Sequence, residues 1–144
     1  MKETKYQAYV VVQKLDNLGS NMHLAGVSEY EVMIDVCSIS FDKGKVDYVN
    51  DSENNEYSFL DNSLIAVREY TGINDKNGKA LYDGDIIKFK TRNGYEHIGN
   101  KGVINWSYMS YVVSTNVGDY LFLYVDEFEI IGNIYEDHEL LNVN

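Results

Sequence analysis

Ser28-Glu29-Tyr30-Glu31-Val32-Met33-Ile34-Asp35-Val36 admits two readings, and the choice between them sets the fold class. Ser28 followed by Glu31 matches a capping box, which opens helices. Against this, Tyr30, Val32, Ile34 and Val36 are apolar at a strict spacing of two, opposite Glu29, Glu31 and Asp35. Successive side chains of a strand point to opposite faces, so this alternation describes a half-buried strand. We read the segment as a strand. Ile34 to Phe41 then pairs with Lys45 to Asn50 through the loop Asp42-Lys43-Gly44-Lys45.

The rest of the chain follows the same pattern. Proline is absent and glycine numbers 11, so Gly, Asn and Asp must make the turns. Turn signals stand at Asp16-Asn17-Leu18-Gly19, Asp42 to Lys45, Asn50 to Asn55, Asn74 to Gly78, Asp83-Gly84, Arg92-Asn93-Gly94 and Gly118-Asp119. Short runs rich in Val, Ile, Tyr and Phe lie between them. That spacing predicts a mainly β protein. Thirteen tyrosines and five phenylalanines agree, because aromatic side chains pack well on pleated surfaces. The end reads differently. Glu136-Asp137-His138-Glu139-Leu140-Leu141 opens with acids, which the helix dipole favours, and predicts a short C-terminal helix. An α+β fold is the alternative. The best seam lies near Tyr70-Thr71-Gly72, dividing a β-rich lobe over residues 1–69 from a second lobe over 70–144. Charge does not mark it: residues 1–69 carry 6 basic and 12 acidic groups, and residues 70–144 carry 6 and 11.

Composition limits the function classes. Of 144 residues, 12 are Lys or Arg and 23 Asp or Glu, a formal charge of −11. At 44% hydrophobic the chain is too apolar for a disordered one. A single cysteine, Cys37, allows no internal disulfide, and its apolar neighbours predict a small buried side chain. The longest apolar run, Tyr120 to Val125, is far below the ~20 residues of a membrane-spanning helix. Tyr6 to Val12 is too short for a signal peptide, so we expect a cytoplasmic protein with no membrane partner. Phosphate binding draws its free energy from Lys and Arg releasing counterions, and here the bases are few and scattered. Nucleic acid is therefore not the partner we expect. Lys88, Lys90 and Arg92, on one strand face, form the densest basic group.

No catalytic, cofactor or metal set emerges. With Gly78 at position 6 of an EF-hand loop, positions 1 and 12 fall on Ile73 and Gly84, which supply no carboxylate. Asp83 and Asp85 flank Gly84 with the spacing of a turn. His23, His97 and His138 lack metal-ligand spacing. Gly99 to Gly102 is too short for a phosphate loop. What remains is aromatic: Trp106, Tyr108 and Tyr111, beside Tyr95, form a candidate binding surface, suited with its acidic surroundings to a basic or extended peptide. Rim tyrosines over a β core are the bland reading of the same residues.

The second half resembles the YopX family of phage and prophage proteins. The resemblance rests on Tyr70 to Lys79, Leu81 to Lys88, Gly102 to Trp106 and Phe128 to Glu136, four blocks in the family's order. Before them the chain departs from the family: Tyr6-Gln7-Ala8-Tyr9 stands where members open with an Arg-Ala-Trp-Asp-like strand, and residues 13–33 match poorly. The resemblance implies a small SH3-like β-barrel and transfers no catalytic residue. Five short β runs agree with it independently: 85–90, 102–107, 111–115, 120–125 and 128–135. The expected function is that of an uncharacterised phage or prophage accessory protein, a non-enzymatic interaction module in the bacterial cytoplasm. Its partner would be a host or phage protein, with homo-oligomers open to its β edges. An acidic DNA mimic inhibiting a host nuclease or regulator is the alternative. A metal-dependent hydrolase built on Asp75, Asp83 and Asp85 is a third.

Overall fold

A computed structural model describes residues 3–16, 26–91 and 101–142. Among them are twelve strands, all paired antiparallel, and no α-helix, so the α+β alternative falls. The strands are β1 (Tyr6–Asp16), β2 (Gly26–Asp35), β3 (Ser38–Asp42), β4 (Lys45–Asn50), β5 (Glu56–Ser58) and β6 (Leu64–Asn74). They continue with β7 (Ala80–Tyr82), β8 (Asp85–Thr91), β9 (Lys101–Ser107), β10 (Ser110–Thr115), β11 (Gly118–Leu121) and β12 (Val125–Asn133). Three sheets result, ordered β2-β1-β6-β7, β3-β4-β5 and β11-β10-β9-β8-β12. The chain forms two compact units, one from Tyr6–Val67 and one from Met1–Lys5 with Arg68–Asn144.

The first unit carries the deciding segment as β2. It pairs with β1 in an unbroken register from Gln7↔Asp35 to Asp16↔Gly26. Val32, Ile34 and Val36 pack with Ala8, Val10, Val49 and Leu64 in the core, while Glu29, Glu31 and Asp35 are exposed. Burial thus selects the strand over the capping-box helix: one face of a two-residue period fills the core. The hairpin predicted from Ile34 to Phe41 is shorter than expected. The run breaks at Val36-Cys37, and only Ser38–Asp42 pairs with Lys45–Asn50, across a turn with Lys43 and Gly44 at φ 52° and 80°. At that break Cys37 donates its N–H to the Asn50 carbonyl (2.8 Å) and its side chain is exposed, not buried. The break interrupts the alternation, so Val36 and Ile39 take the inner positions on either side.

In the second unit, β8 to β11 form a meander and β12 returns to pair with β8. The sheet curls into a half-barrel. Its core is Leu81, Ile87, Phe89, Ile104, Val113 and Val125, with Tyr111, Tyr120, Phe122, Phe128 and Ile130 packed against it. Of the five expected runs, the fourth ends early. Phe122–Tyr124 is a turn of 3-10 helix, closed by the Val125 N–H bonding to the Phe122 carbonyl. β11 and β12 run in the same sense at opposite ends of the sheet order, and those three residues carry the chain from β10's side to β8's. The terminal helix is His138–Asn142, 3-10 in type, with Glu139 in its first turn. Lys88 and Lys90 lie exposed on one face of β8 as expected, but Lys88 stands opposite Glu129, and Lys90 pairs with Glu127 at 3.2 Å. Arg92, the Asn93-Gly94 turn, His97 and residues 17–25, with His23 and the Asn17-Gly19 turn, lie outside the described residues.

Candidate interaction surface

The hairpin of β9 and β10 is held close by its own sequence. A Cβ at Gly102 would stand 2.6 Å from Val113 Cγ1 and 2.9 Å from the Ser114 carbonyl oxygen, so only glycine fits there. Ile104 pairs with Val113 and both are fully buried. Two residues further along the same face Trp106 pairs with Tyr111, their rings edge to face with centroids 4.9 Å apart. Tyr111 rests on the core, and Trp106, beyond its end, is 60% exposed.

The turn joining the two strands is Tyr108-Met109. Both residues are left-handed, at φ 48° and 70°. A two-residue hairpin turn with positive φ at both positions prefers Asn-Gly, because a Cβ is strained there. Tyr108 is 98% exposed and Met109 88%, so no packing repays that strain. Register extends the apolar surface sideways. Val112 pairs with Leu121, which brings Phe122–Tyr124 alongside the start of β10. Leu121, Leu123 and Tyr124 are exposed there, while Phe122 turns inward onto Phe128 (5.8 Å).

Of the four residues singled out from sequence, Trp106 and Tyr111 touch, and Tyr108 sits at the tip of the same hairpin. Tyr95 lies outside the described residues. Met109, Leu121, Leu123 and Tyr124 were missed. A signal for them existed: Lys101 to Val125 contains one base and one acid, Lys101 and Asp119, in a chain otherwise rich in charge. The acidic surroundings expected for the aromatics are therefore not supplied by this segment.

The aspartates of the hydrolase reading are occupied by structure. One Asp75 oxygen accepts the N–H groups of Asn77 and Lys79, both at 2.9 Å, and the other accepts that of Ile130 at 3.1 Å. Burial pushes the Asp75 carboxyl up, but these donors hold it below its ordinary range. Asp85 is buried, 2.6 Å from Arg68 Nη1, and accepts the Tyr82 N–H at 2.8 Å. Burial raises its pKa against the pull of Arg68. Asp83 is likewise raised by burial, opposed by Arg68. Arg68 also reaches the Asp83 carbonyl (3.4 Å) and lies over the Tyr82 ring. Among the described residues no three His, Cys, Asp or Glu side chains are grouped to hold a metal ion.

The family model of the YopX protein matches residues 19–142, reaching far into the N-terminal half where the sequence resemblance was poor. Among solved structures, the chain is similar to the crystal structure of protein EF1440 from Enterococcus faecalis. That likeness has a TM-score of 0.53 at 21% identity, over 98% of this chain and 99% of the other, and it shows the fold alone. No curated protein matches the chain.

Proposed function

This chain belongs to the YopX protein family, and on that basis we propose that it is a non-enzymatic phage or prophage accessory protein, a protein-interaction module working in the bacterial cytoplasm. We read its half-barrel as an SH3-type barrel whose sheet stays open between β11 and β12. The observation that carries the proposal is the Tyr108-Met109 turn, strained and almost wholly exposed. Left-handed non-glycine residues cluster at ligand clamps, where strain serves function. Trp, Tyr and Met are the residue types enriched at protein interfaces, and the charge-poor segment around them matches the depletion of charge at interface centres. The hairpin tip enters an apolar pocket of a host or phage protein, with Trp106 and Tyr111 as the shoulder of the contact.

Affinity capture from host lysate tests this with wild type, Trp106→Ala and the double variant Tyr108→Asn/Met109→Gly. Wild type retains a reproducible, identified partner and both variants lose it. Equal capture by all three, or none by folded wild type, overturns the reading.

A second reading has its own observation. The unit Tyr6–Val67 contains ten acidic and three basic residues, net −7, whereas the rest of the chain carries −4. Glu29, Glu31, Asp35, Asp42, Asp47, Glu53, Glu56 and Asp61 are all exposed. A groove of about 650 Å³ in that unit is lined by Glu29, Glu56 and Asp61 with Val11, Gln13 and Tyr57. This favours an acidic mimic of nucleic acid that occupies a basic host nuclease or regulator. Such binding weakens steeply with salt, and a captured complex that survives high salt counts against it.

A further inference from the structure

The turn between β6 and β7 contains a dipeptide whose chemistry the fold holds in check. Among the described asparagines, Asn77 alone is followed by glycine; every other precedes a residue with a side chain. Where no Cβ shields it, the following backbone nitrogen reaches the carboxamide carbon of an asparagine. Asn77 and Gly78 are both exposed, and nothing lies within 4 Å of a Cβ placed on Gly78. Asp75 organises the same turn. Its carbonyl accepts the Gly78 N–H (2.9 Å), and its own N–H bonds to the Lys79 carbonyl (2.8 Å). Its Oδ1 accepts the N–H groups of Asn77 and Lys79. The nitrogen that would attack is thus engaged as a donor, and the backbone on either side of it is pinned.

We propose that Asn77 is a site of spontaneous deamidation, guarded by Asp75. When the turn opens, the Gly78 amide nitrogen bonds to Cγ of Asn77. The Cγ–Nδ2 bond breaks, the Gly78 proton joins the departing group, and ammonia leaves a succinimide ring. Water then adds across one of the two ring C–N bonds. Residue 77 becomes aspartate or, with the main chain rerouted through its side chain, isoaspartate. Water is the only co-reactant, and nothing is oxidised or reduced. Either product places a new negative charge beside the Asp75 carboxylate, on which the residue 77 N–H rests. Isoaspartate also lengthens the backbone inside the turn. That turn is tied to β12: the Ile130 N–H bonds to Asp75 Oδ2 (3.1 Å), the Lys76 N–H bonds to the Phe128 carbonyl (3.1 Å), and Lys76 Nζ lies 3.7 Å from Glu129. Conversion therefore loosens the β6–β7 hairpin from β12, and refolding does not reverse it.

The inference goes beyond the proposed hairpin contact and does not rest on it. Peptide mapping by mass spectrometry, over a time course in mildly alkaline buffer, reads the amide-to-acid mass gain at residue 77. The full chain is incubated folded and in urea, beside Asp75→Ala and Asn77→Gln. Asn93-Gly94, followed in the same digests, calibrates the reaction in the unfolded chain. Folded wild type converts at residue 77 far more slowly than unfolded wild type. Folded Asp75→Ala converts roughly 5–30 times faster than folded wild type, the factor by which losing the Asp75 side-chain hydrogen bonds raises the open population. If Asp75→Ala does not fold, Asp75→Ser makes the comparison, its hydroxyl being a weaker acceptor in the same kind of turn. Wild type aged in urea and returned to buffer loses more of its unfolding midpoint than Asn77→Gln treated alike. A folded rate equal to the unfolded rate overturns the inference. So does a folded Asp75 variant no faster than wild type, or an unfolded chain that converts at Asn93 and not at Asn77. Equal loss of midpoint by the two aged chains overturns the loosening from β12.

Discussion

Tyr108 and Met109 occupy a region of backbone space where a side chain costs about 1–2 kcal/mol per residue. Exchanging the pair for Asn-Gly therefore stabilises the fold, by about 1–3 kcal/mol in total. A raised urea midpoint together with lost partner capture is the expected outcome; a lowered midpoint shows that the strain is not there. Asp75 works in the opposite sense. Its carboxylate accepts three backbone N–H groups, and an amide cannot accept all three with both of its atoms. Asp75→Asn costs about 1–3 kcal/mol, read from denaturant unfolding at neutral pH. The pH dependence has a definite sign. The folded pKa lies below the unfolded 3.8, so the contribution is present above that value and fades as pH falls through the folded pKa. The variant accordingly shows a smaller loss of stability on acidification than wild type. Cys37 illustrates how a residue misleads: its sequence neighbours are apolar, yet it stands where one strand stops and the next begins, and its side chain points outward.

Two elements depend on a few contacts. The β9–β10 hairpin requires glycine at 102, since a methyl there meets backbone as well as Val113. Gly102→Ala is expected to cost about 1–3 kcal/mol through overpacking, measured as a lowered unfolding midpoint with the β spectrum retained. The turn between β7 and β8 is fastened from outside itself. Arg68 on β6 holds Asp85, the Gly84 N–H bonds to the Ile104 carbonyl, and the Ile134 N–H bonds to the Gly84 carbonyl. Removing one partner of a buried ion pair strands the other charge, so Arg68→Met costs about 3–5 kcal/mol. Arg68→Met/Asp85→Leu recovers most of that loss in the same unfolding assay; a double variant destabilised by the sum of the two single losses would show that the pair is not coupled. Asp83-Gly84-Asp85 was legible as a turn because glycine at φ 84° needs no tertiary information to be recognised. Its lock was not. Nothing in the local spacing of Arg68 points to Asp85, 17 residues on, until β6 and β8 are in place.

At the scale of the whole molecule, charge is the property that division into units reveals. Cut at the sequence seam, the halves carry −6 and −5; divided as the chain folds, the units carry −7 and −4. Repulsion within so acidic a chain lowers its stability, and screening relieves it. Thermal midpoints therefore rise with added sodium chloride, and a midpoint that falls or holds constant in differential scanning shows that the acids are already compensated. By itself the sequence determined the mainly β class, the turns at Asp42 to Lys45, Asn50 to Asn55, Asn74 to Gly78 and Asp83-Gly84, the family resemblance and the aromatic character of the β9–β10 region. Those are local matters: period, backbone freedom and side-chain type are written in adjacent residues. The turn read at Gly118-Asp119 falls instead on Asn116-Val117, with Gly118–Leu121 a strand. Tertiary structure alone decided the rest. It broke the run at Cys37, turned Phe122–Tyr124 into a 3-10 bend, gathered Leu121, Leu123 and Tyr124 beside the hairpin tip, and gave β11 a single neighbour, β10, among the described strands. Each of these depends on which strand lies next to which, a choice made by burial and hydrogen-bond pairing between segments far apart in the chain.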